Sequence, residues 1–208
     1  MLSPNNYKSF LRAGYSVREL GFAFIRLKIF SWLWTHLKYP LRRRGERVCI
    51  DYTVDIAGAC FIEIGDDSWI QRYTWLTVPL IDIHPVEDRV YLSIGKRVQI
   101  GRNCFIGASN RINLSDDVLL GPYVTIVDHT HRYSDNEIPI KEQGITQEGF
   151  VKIGTGAWIG AGAMVLGHRG VTIGENAVVA AHAVLTEDLP AQCIAVGNPA
   201  RILKGGKK

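Results

Sequence analysis

The chain has 208 residues, 47% hydrophobic and 21% charged, which fits one ordinary globular domain with a short appendage and excludes a largely disordered chain or a polytopic membrane protein. The net charge of +4 is uneven: residues 1–47 carry ten Lys or Arg against Glu19 and Glu46, while residues 48–208 carry fourteen against eighteen acids. A mildly acidic body lacks the concentrated cationic face that nucleic acid requires, so no nucleic-acid partner is expected.

In chain order, the first segment is apolar and basic. Residues 15–39 read YSVRELGFAFIRLKIFSWLWTHLKY. Phe22, Ile25, Ile29, Trp32 and Leu33 recur at helical spacing, which predicts a helix stopped by Pro40. Arg26 and Lys28 interrupt the apolar run, so the segment does not read as a spanning helix. Two readings stay open. One is a helix packed on the body or on a neighbouring subunit. The other is a peripheral membrane contact through residues 15–47, with Trp32 and Trp34 among acyl chains and Arg42, Arg43, Arg44 and Arg47 at anionic head groups. No signal-peptide pattern is seen. Cys49, Cys60, Cys104 and Cys193 are scattered, without a CxxC, so neither a zinc site nor a disulfide framework is indicated. Free thiols suit the cytoplasm, including the inner face of the cytoplasmic membrane.

From residue 50 a repeat takes over. An aliphatic residue precedes glycine at Ile64, Ile94, Ile100, Ile106, Leu120, Ile153, Ile159 and Ile173, at steps of six or of six-fold sums with an occasional added two. Ile50, Ile56, Ile62, Ile70, Leu76, Ile126, Val165, Val179 and Leu185 fill the missing beats. Six is the period of a short strand plus a corner, not of a helix or a single strand. Stacked, such units bury an aliphatic column that no unit could bury alone. Three strands per turn predict a triangular rung of about eighteen residues and a parallel β-helix. Residues 77–93 and 127–152 break the phase and read as excursions from the coil. The chain thus divides into a segment 1–47, a coil 48–190 and a tail 191–208.

This [LIV]-G-x-x-x-x pattern resembles the hexapeptide-repeat acyltransferases. The resemblance covers residues 48–204 and implies an all-β, left-handed parallel β-helix preceded by an α-helical segment. The general handedness preference of parallel crossovers would favour the opposite hand. Leu120-Gly121-Pro122-Tyr123-Val124-Thr125 resembles the strand that precedes the catalytic histidine in the family's sugar O-acetyltransferases, and aligning Thr125 puts that position on His131. His129 is the rival. A histidine suits the task because a base near neutral pKa must take the proton of the attacking hydroxyl. Asp128 and Glu137 are the candidates to orient it, and Asn110 and Asp128 are expected at the substrate.

Two further stretches carry the resemblance. In WIGAGAMV, Trp158, Gly160 and Ala161 match the rung that borders the coenzyme A pantetheine groove, which Ala181 would continue. In VLTEDLPAQCIAVGNPARILK, Thr186, Arg201 and Lys204 match the closing segment near the cofactor's phosphates. The chain departs from the family at 165–174, two residues longer and without the usual proline, and at His182, where a glycine is usual. The resemblance implies an acetyl-CoA-dependent O-acetyltransferase acting on a sugar hydroxyl in surface polysaccharide or lipopolysaccharide synthesis, without a metal, in a homotrimer. The alternatives are a small soluble acceptor or a non-catalytic scaffold. A zinc carbonic anhydrase on the same coil needs an H-x4-H pair, and none of His36, His84, His129, His131, His168 and His182 lie five apart.

Overall fold

The computed structural model describes residues 39–79, 86 and 88–203. The helix expected within 15–39 and the tail from Lys204 onward lie outside the described residues, apart from Tyr39.

From Arg43 the chain winds into a three-sided prism of strands two or three residues long. The first sheet stacks Arg43–Arg44, Ile62–Ile64, Leu92–Ile94, Ile112–Leu114, Val151–Ile153 and Val171–Ile173. The second stacks Cys49–Ile50, Trp69–Ile70, Gln99–Ile100, Leu119–Leu120, Trp158–Ile159, Val178–Val179 and Ile194–Val196, and Arg201–Leu203 closes it as an antiparallel edge. The third runs from Asp55–Ala57 through Trp75–Thr77, Phe105–Gly107, Thr125–Val127 and Met164–Leu166 to Val184–Leu185. All other pairings are parallel, so this is a parallel β-helix.

The repeat explains the geometry. Side chains alternate along the strands: in the second and third sheets the parallel strands turn an aliphatic residue or alanine into the prism beside an outward one, and from Ile62–Ile64 onward the first-sheet strands bury two residues on either side of an outward one. Ile100, Ile106, Ile112, Leu120 and Ile126 are all buried to within 1%. Each such side chain contributes roughly 1.5–3 kcal/mol over leaving it in water. Because registers are aligned from rung to rung, the inward residues form continuous columns, and a one-residue slip would turn each column to solvent.

A rung is twenty residues rather than eighteen: Leu92 pairs with Ile112, Ile100 with Leu120 and Ile106 with Ile126. The two added residues lie in the first sheet, whose strands bury two aliphatic side chains two residues apart, as in Leu92 and Ile94 or Ile112 and Leu114. The third corner, between the third and first sheets, is four residues long, as in Ala108–Arg111, like the other two. Both excursions leave from this same corner, after Thr77 and after Val127. One edge of the prism therefore collects every irregular segment of the coil body.

The outward columns differ between faces. The first sheet presents Glu63, Ser93, Asn113, Lys152 and Thr172 in register. The second presents Trp69, Leu119, Trp158, Val178 and Ile194, interrupted by Gln99. The third presents Trp75, Phe105, Thr125 and Met164. One face is thus polar and two are largely apolar. Among the described residues no helix is long and apolar enough to cross a membrane.

Candidate functional site

Asp128 begins the second excursion and is fully buried. Its carboxylate is received by the third corner of the preceding rung. Oδ1 accepts the Ser109 N–H at 2.8 Å and the Ser109 hydroxyl at 3.1 Å, and Oδ2 accepts the Asn110 N–H at 2.9 Å and the Arg111 N–H at 2.7 Å. Three consecutive backbone donors form an anion nest. His129 Nδ1 lies 3.0 Å from Oδ1, so the carboxylate fixes the ring with its proton on Nδ1. Burial alone would push the Asp128 carboxyl up, but the bonds from His129, Ser109 and Asn110 outweigh it and hold it below the usual carboxylate range.

The His129 side chain is only 17% exposed. Its Cε1 lies over Gly107, where a Cβ would come within 3.2 Å of both that atom and the Phe105 ring. The glycine at the end of this strand is what lets the imidazole settle against the third sheet.

His131 stands two residues further on and is exposed. It forms an isolated antiparallel bridge with Ile145. That bridge belongs to a short ribbon at the root of the excursion, held by the Thr146 N–H to Thr130 O at 2.9 Å, the Thr130 N–H to Thr146 Oγ1 at 3.1 Å and the Arg132 N–H to Gly144 O at 3.0 Å. The His131 ring makes no hydrogen bond to a described residue, which leaves both nitrogens open to a ligand.

Three other expectations meet the geometry differently. Asp128 has no surface to offer a substrate; its oxygens are taken by the nest and His129, so it acts as the orienting carboxylate instead. Asn110 is likewise engaged within the chain. Its Oδ1 accepts from Arg89 Nη2 and its Nδ2 donates to Gly149 O at 2.6 Å, so it staples both excursions to the corner between them. Glu137 is exposed on the excursion and bonds neither imidazole; its N–H is capped by Asp135 Oδ1 at 2.8 Å.

The second corner, between the second and third sheets, carries the small residues. Gly160 and Ala161 lie on one rung and Ala180 and Ala181 on the next, joined by the His182 N–H to Ala161 O at 2.9 Å. His182 takes the left-handed conformation and lays its ring on Gly162, where a Cβ would lie 2.6 Å from Nδ1. The bulkier residue is accommodated because the rung beneath it has no side chain. Trp158 projects from the second sheet between Leu119 and Val178, half exposed. Thr186 and Arg201 are exposed at the C-terminal end of the coil, and Lys204 lies outside the described residues. Cys104 donates to Gly121 O at 3.2 Å, and burial pushes its thiol up to about 11, so it is not a nucleophile. Among the described residues no three His, Cys, Asp or Glu side chains gather as a metal site.

The family model described as the hexapeptide repeat of succinyl-transferase matches residues 91–110 and 150–187. A probable acetyltransferase of Mycobacterium tuberculosis is 41% identical over 113 residues, which are 54% of this chain and 37% of that protein. The galactoside O-acetyltransferase of Escherichia coli is 28% identical over 150 residues, 69% of this chain and 64% of that protein. The chain is thus similar to acyltransferases built on hexapeptide repeats. An N-acyltransferase of Bacillus cereus, solved with dTDP and coenzyme A, shares the fold at a TM-score of 0.67, with 21% identity over 93% of this chain and 91% of that one. The prism is accordingly a left-handed parallel β-helix like that of these acyltransferases. The chain spans under two thirds of the length of the curated relatives it matches.

Proposed function

We propose that this hexapeptide-repeat protein transfers an acetyl group from acetyl-CoA to a saccharide hydroxyl. The observation that carries the reading is the arrangement at the third corner: an exposed His131 projects from a turn that the buried Asp128–His129 pair clamps in place. His131 takes the hydroxyl proton as the oxygen attacks the thioester carbonyl. The C–S bond then breaks, and the coenzyme A thiolate recovers the proton from the imidazolium. Backbone N–H groups stabilise the oxyanion. His129 is the positioning residue, because its ring is fixed against the protein.

Relatives of both O- and N-acylating kinds share this coil, and the imidazole favours oxygen. A hydroxyl must lose its proton during attack, whereas a neutral amine attacks unaided. In this reading Trp158, Gly160, Ala161 and Ala181 border the pantetheine arm, and Thr186, Arg201 and Lys204 lie toward the cofactor's phosphates. The segment 1–47 keeps the enzyme at the inner face of the cytoplasmic membrane, near a surface-polysaccharide or lipopolysaccharide precursor. Purified protein should release free thiol from acetyl-CoA in the presence of a glycan panel, with an ester as product. Thiol release matched by amide product would assign nitrogen instead, and no coenzyme A binding by calorimetry would return the chain to a scaffold role.

The two apolar faces support a homotrimer. Trp69, Leu119 and Trp158 are 38–50% exposed in the single chain, more apolar surface than a monomer ordinarily leaves bare. Sedimentation equilibrium should give three times the 23.2 kDa chain mass. A monomer at micromolar concentration would remove the homotrimer from the proposal.

A further inference from the structure

The second corner changes character along the prism. Toward the C-terminus its first position is held by Pro122, Ala161 and Ala181. Toward the N-terminus the same position is held by Arg72 and Arg102. These two arginines occupy adjacent rungs, since Ile70 pairs with Ile100, Trp75 pairs with Phe105, and the Asn103 N–H donates to Arg72 O at 3.1 Å. Both are exposed, and neither forms an ion pair with a described residue. Asp55, in register with Trp75, forms none with either.

The first corner shows how this coil ordinarily treats stacked charges. There the column alternates in sign: Arg47 bonds Asp67 at 2.5 Å and Arg97 bonds Asp117 at 2.6 Å, with Lys96 on Asp66 at 3.1 Å beside them. Rungs lie about 4.8 Å apart, so like charges in one column repel unless an anion sits between them. Among the described residues, Arg72 and Arg102 are a like-charged pair with no acid bonded to either. Each is followed three residues later by an aromatic ring on the third sheet. Those rings, Trp75 and Phe105, meet with centroids 5.1 Å apart, and Trp75 is 48% exposed.

We propose that Arg72 and Arg102 form a phosphate subsite for the acceptor, with the Trp75 ring as the stacking surface for the sugar attached to that phosphate. Two guanidinium forks on neighbouring rungs match the spacing of a phosphate or diphosphate, and an aromatic face beside them suits the apolar face of a pyranose. The proposal rests on the acyl-transfer reading for what the anion belongs to. If the pantetheine arm lies along the alanine rungs of this corner, the arginine rungs beyond it are left to the second substrate. The acceptor is then a phosphate-bearing saccharide, either a soluble sugar phosphate or nucleotide sugar or a lipid-linked one.

Inorganic pyrophosphate titrated by calorimetry into protein saturated with coenzyme A tests the subsite directly. Wild type should bind it, R72A/R102A should bind at least tenfold more weakly, and R72K/R102K should fall between, with coenzyme A affinity equal in all three. Absence of binding to the wild type, equal binding to R72A/R102A, or a matching loss of coenzyme A affinity would overturn the proposal, the last by giving the arginines to the donor. Transfer assays with glucose, glucose 1-phosphate and a polyprenyl diphosphate glucose in vesicles separate this from the wider reading. A phosphate-bearing form used at lower KM, with that advantage lost in R72A/R102A and W75A, supports the acceptor subsite and tells the soluble source from the lipid one. Equal use of plain glucose overturns it. Pyrophosphate binding without transfer to any acceptor would sink the acyl-transfer reading, and with it the acceptor role, while leaving the anion site.

Discussion

Replacing His131 by alanine should lower turnover of acetyl transfer by about 10²–10⁴-fold, the range a positioned general base supplies. Its melting temperature should not move, because the ring is exposed and bonds no described residue. The coenzyme A dissociation constant should also hold. His129→Ala is the informative partner. It removes a donor from a fully buried carboxylate, so it should cost about 1.5–3 kcal/mol of stability, with a smaller loss of turnover. Melting curves and thiol release on the two variants separate the roles. The opposite pattern, with His129→Ala inactive at an unchanged melting temperature and His131→Ala near wild type, would make His129 the base and His131 a surface residue.

The coil was legible because its physics is local. A buried column needs an aliphatic residue at every inward beat, so Ile94, Ile100 and Ile106 announce themselves at intervals of six. The third corner is different. Residues 108–111 face neither column nor solvent consistently, and backbone groups do their work. Nothing in the composition of Ala-Ser-Asn-Arg marks a nest. The count of eighteen residues per rung fails elsewhere, in the first sheet, where Ile112 and Leu114 are both buried two residues apart. A usable signal for it existed: the step from Ile106 to Leu120 exceeds twelve by two.

The candidate site was legible as a neighbourhood more than as a set of roles. The Thr125 motif places both histidines on one excursion. It could not distinguish an exposed ring from a clamped one two residues away, because that depends on Gly107 and Phe105 one rung below. The sequence places Asn110 and Asp128 at the substrate because Asn110 stacks one rung before the candidate base and Asp128 lies within reach of it in the chain. Their partners lie 17–39 residues distant in sequence, at Ser109, Arg111, Arg89 and Gly149, and only rung register brings these together. Arg89 had no sequence signal at all.

Asp128→Ala carries the largest expected effect on stability. The substitution strips the acceptor from three backbone N–H groups and from His129 at once. Each buried donor left unpaired costs about 1–3 kcal/mol, partly relieved by water, so a total of about 3–5 kcal/mol is expected, read from denaturant midpoints. Asp128→Asn keeps the shape but turns an N–H2 group toward donors, and should cost roughly half as much. The pH dependence identifies the mechanism. The folded carboxyl is depressed by its hydrogen bonds, so its stabilisation is fully present above the unfolded value of about 3.9 and fades as pH falls through the lower folded value. The stability gap between wild type and Asp128→Asn should therefore be constant from neutral pH down to about pH 5, and should close only below about pH 4. A gap that closes near pH 6 instead would trace the effect to an imidazole. An Asp128→Ala protein with wild-type stability would show that the nest is not what holds the excursion, and His131 would lose the fixed turn from which it is proposed to act.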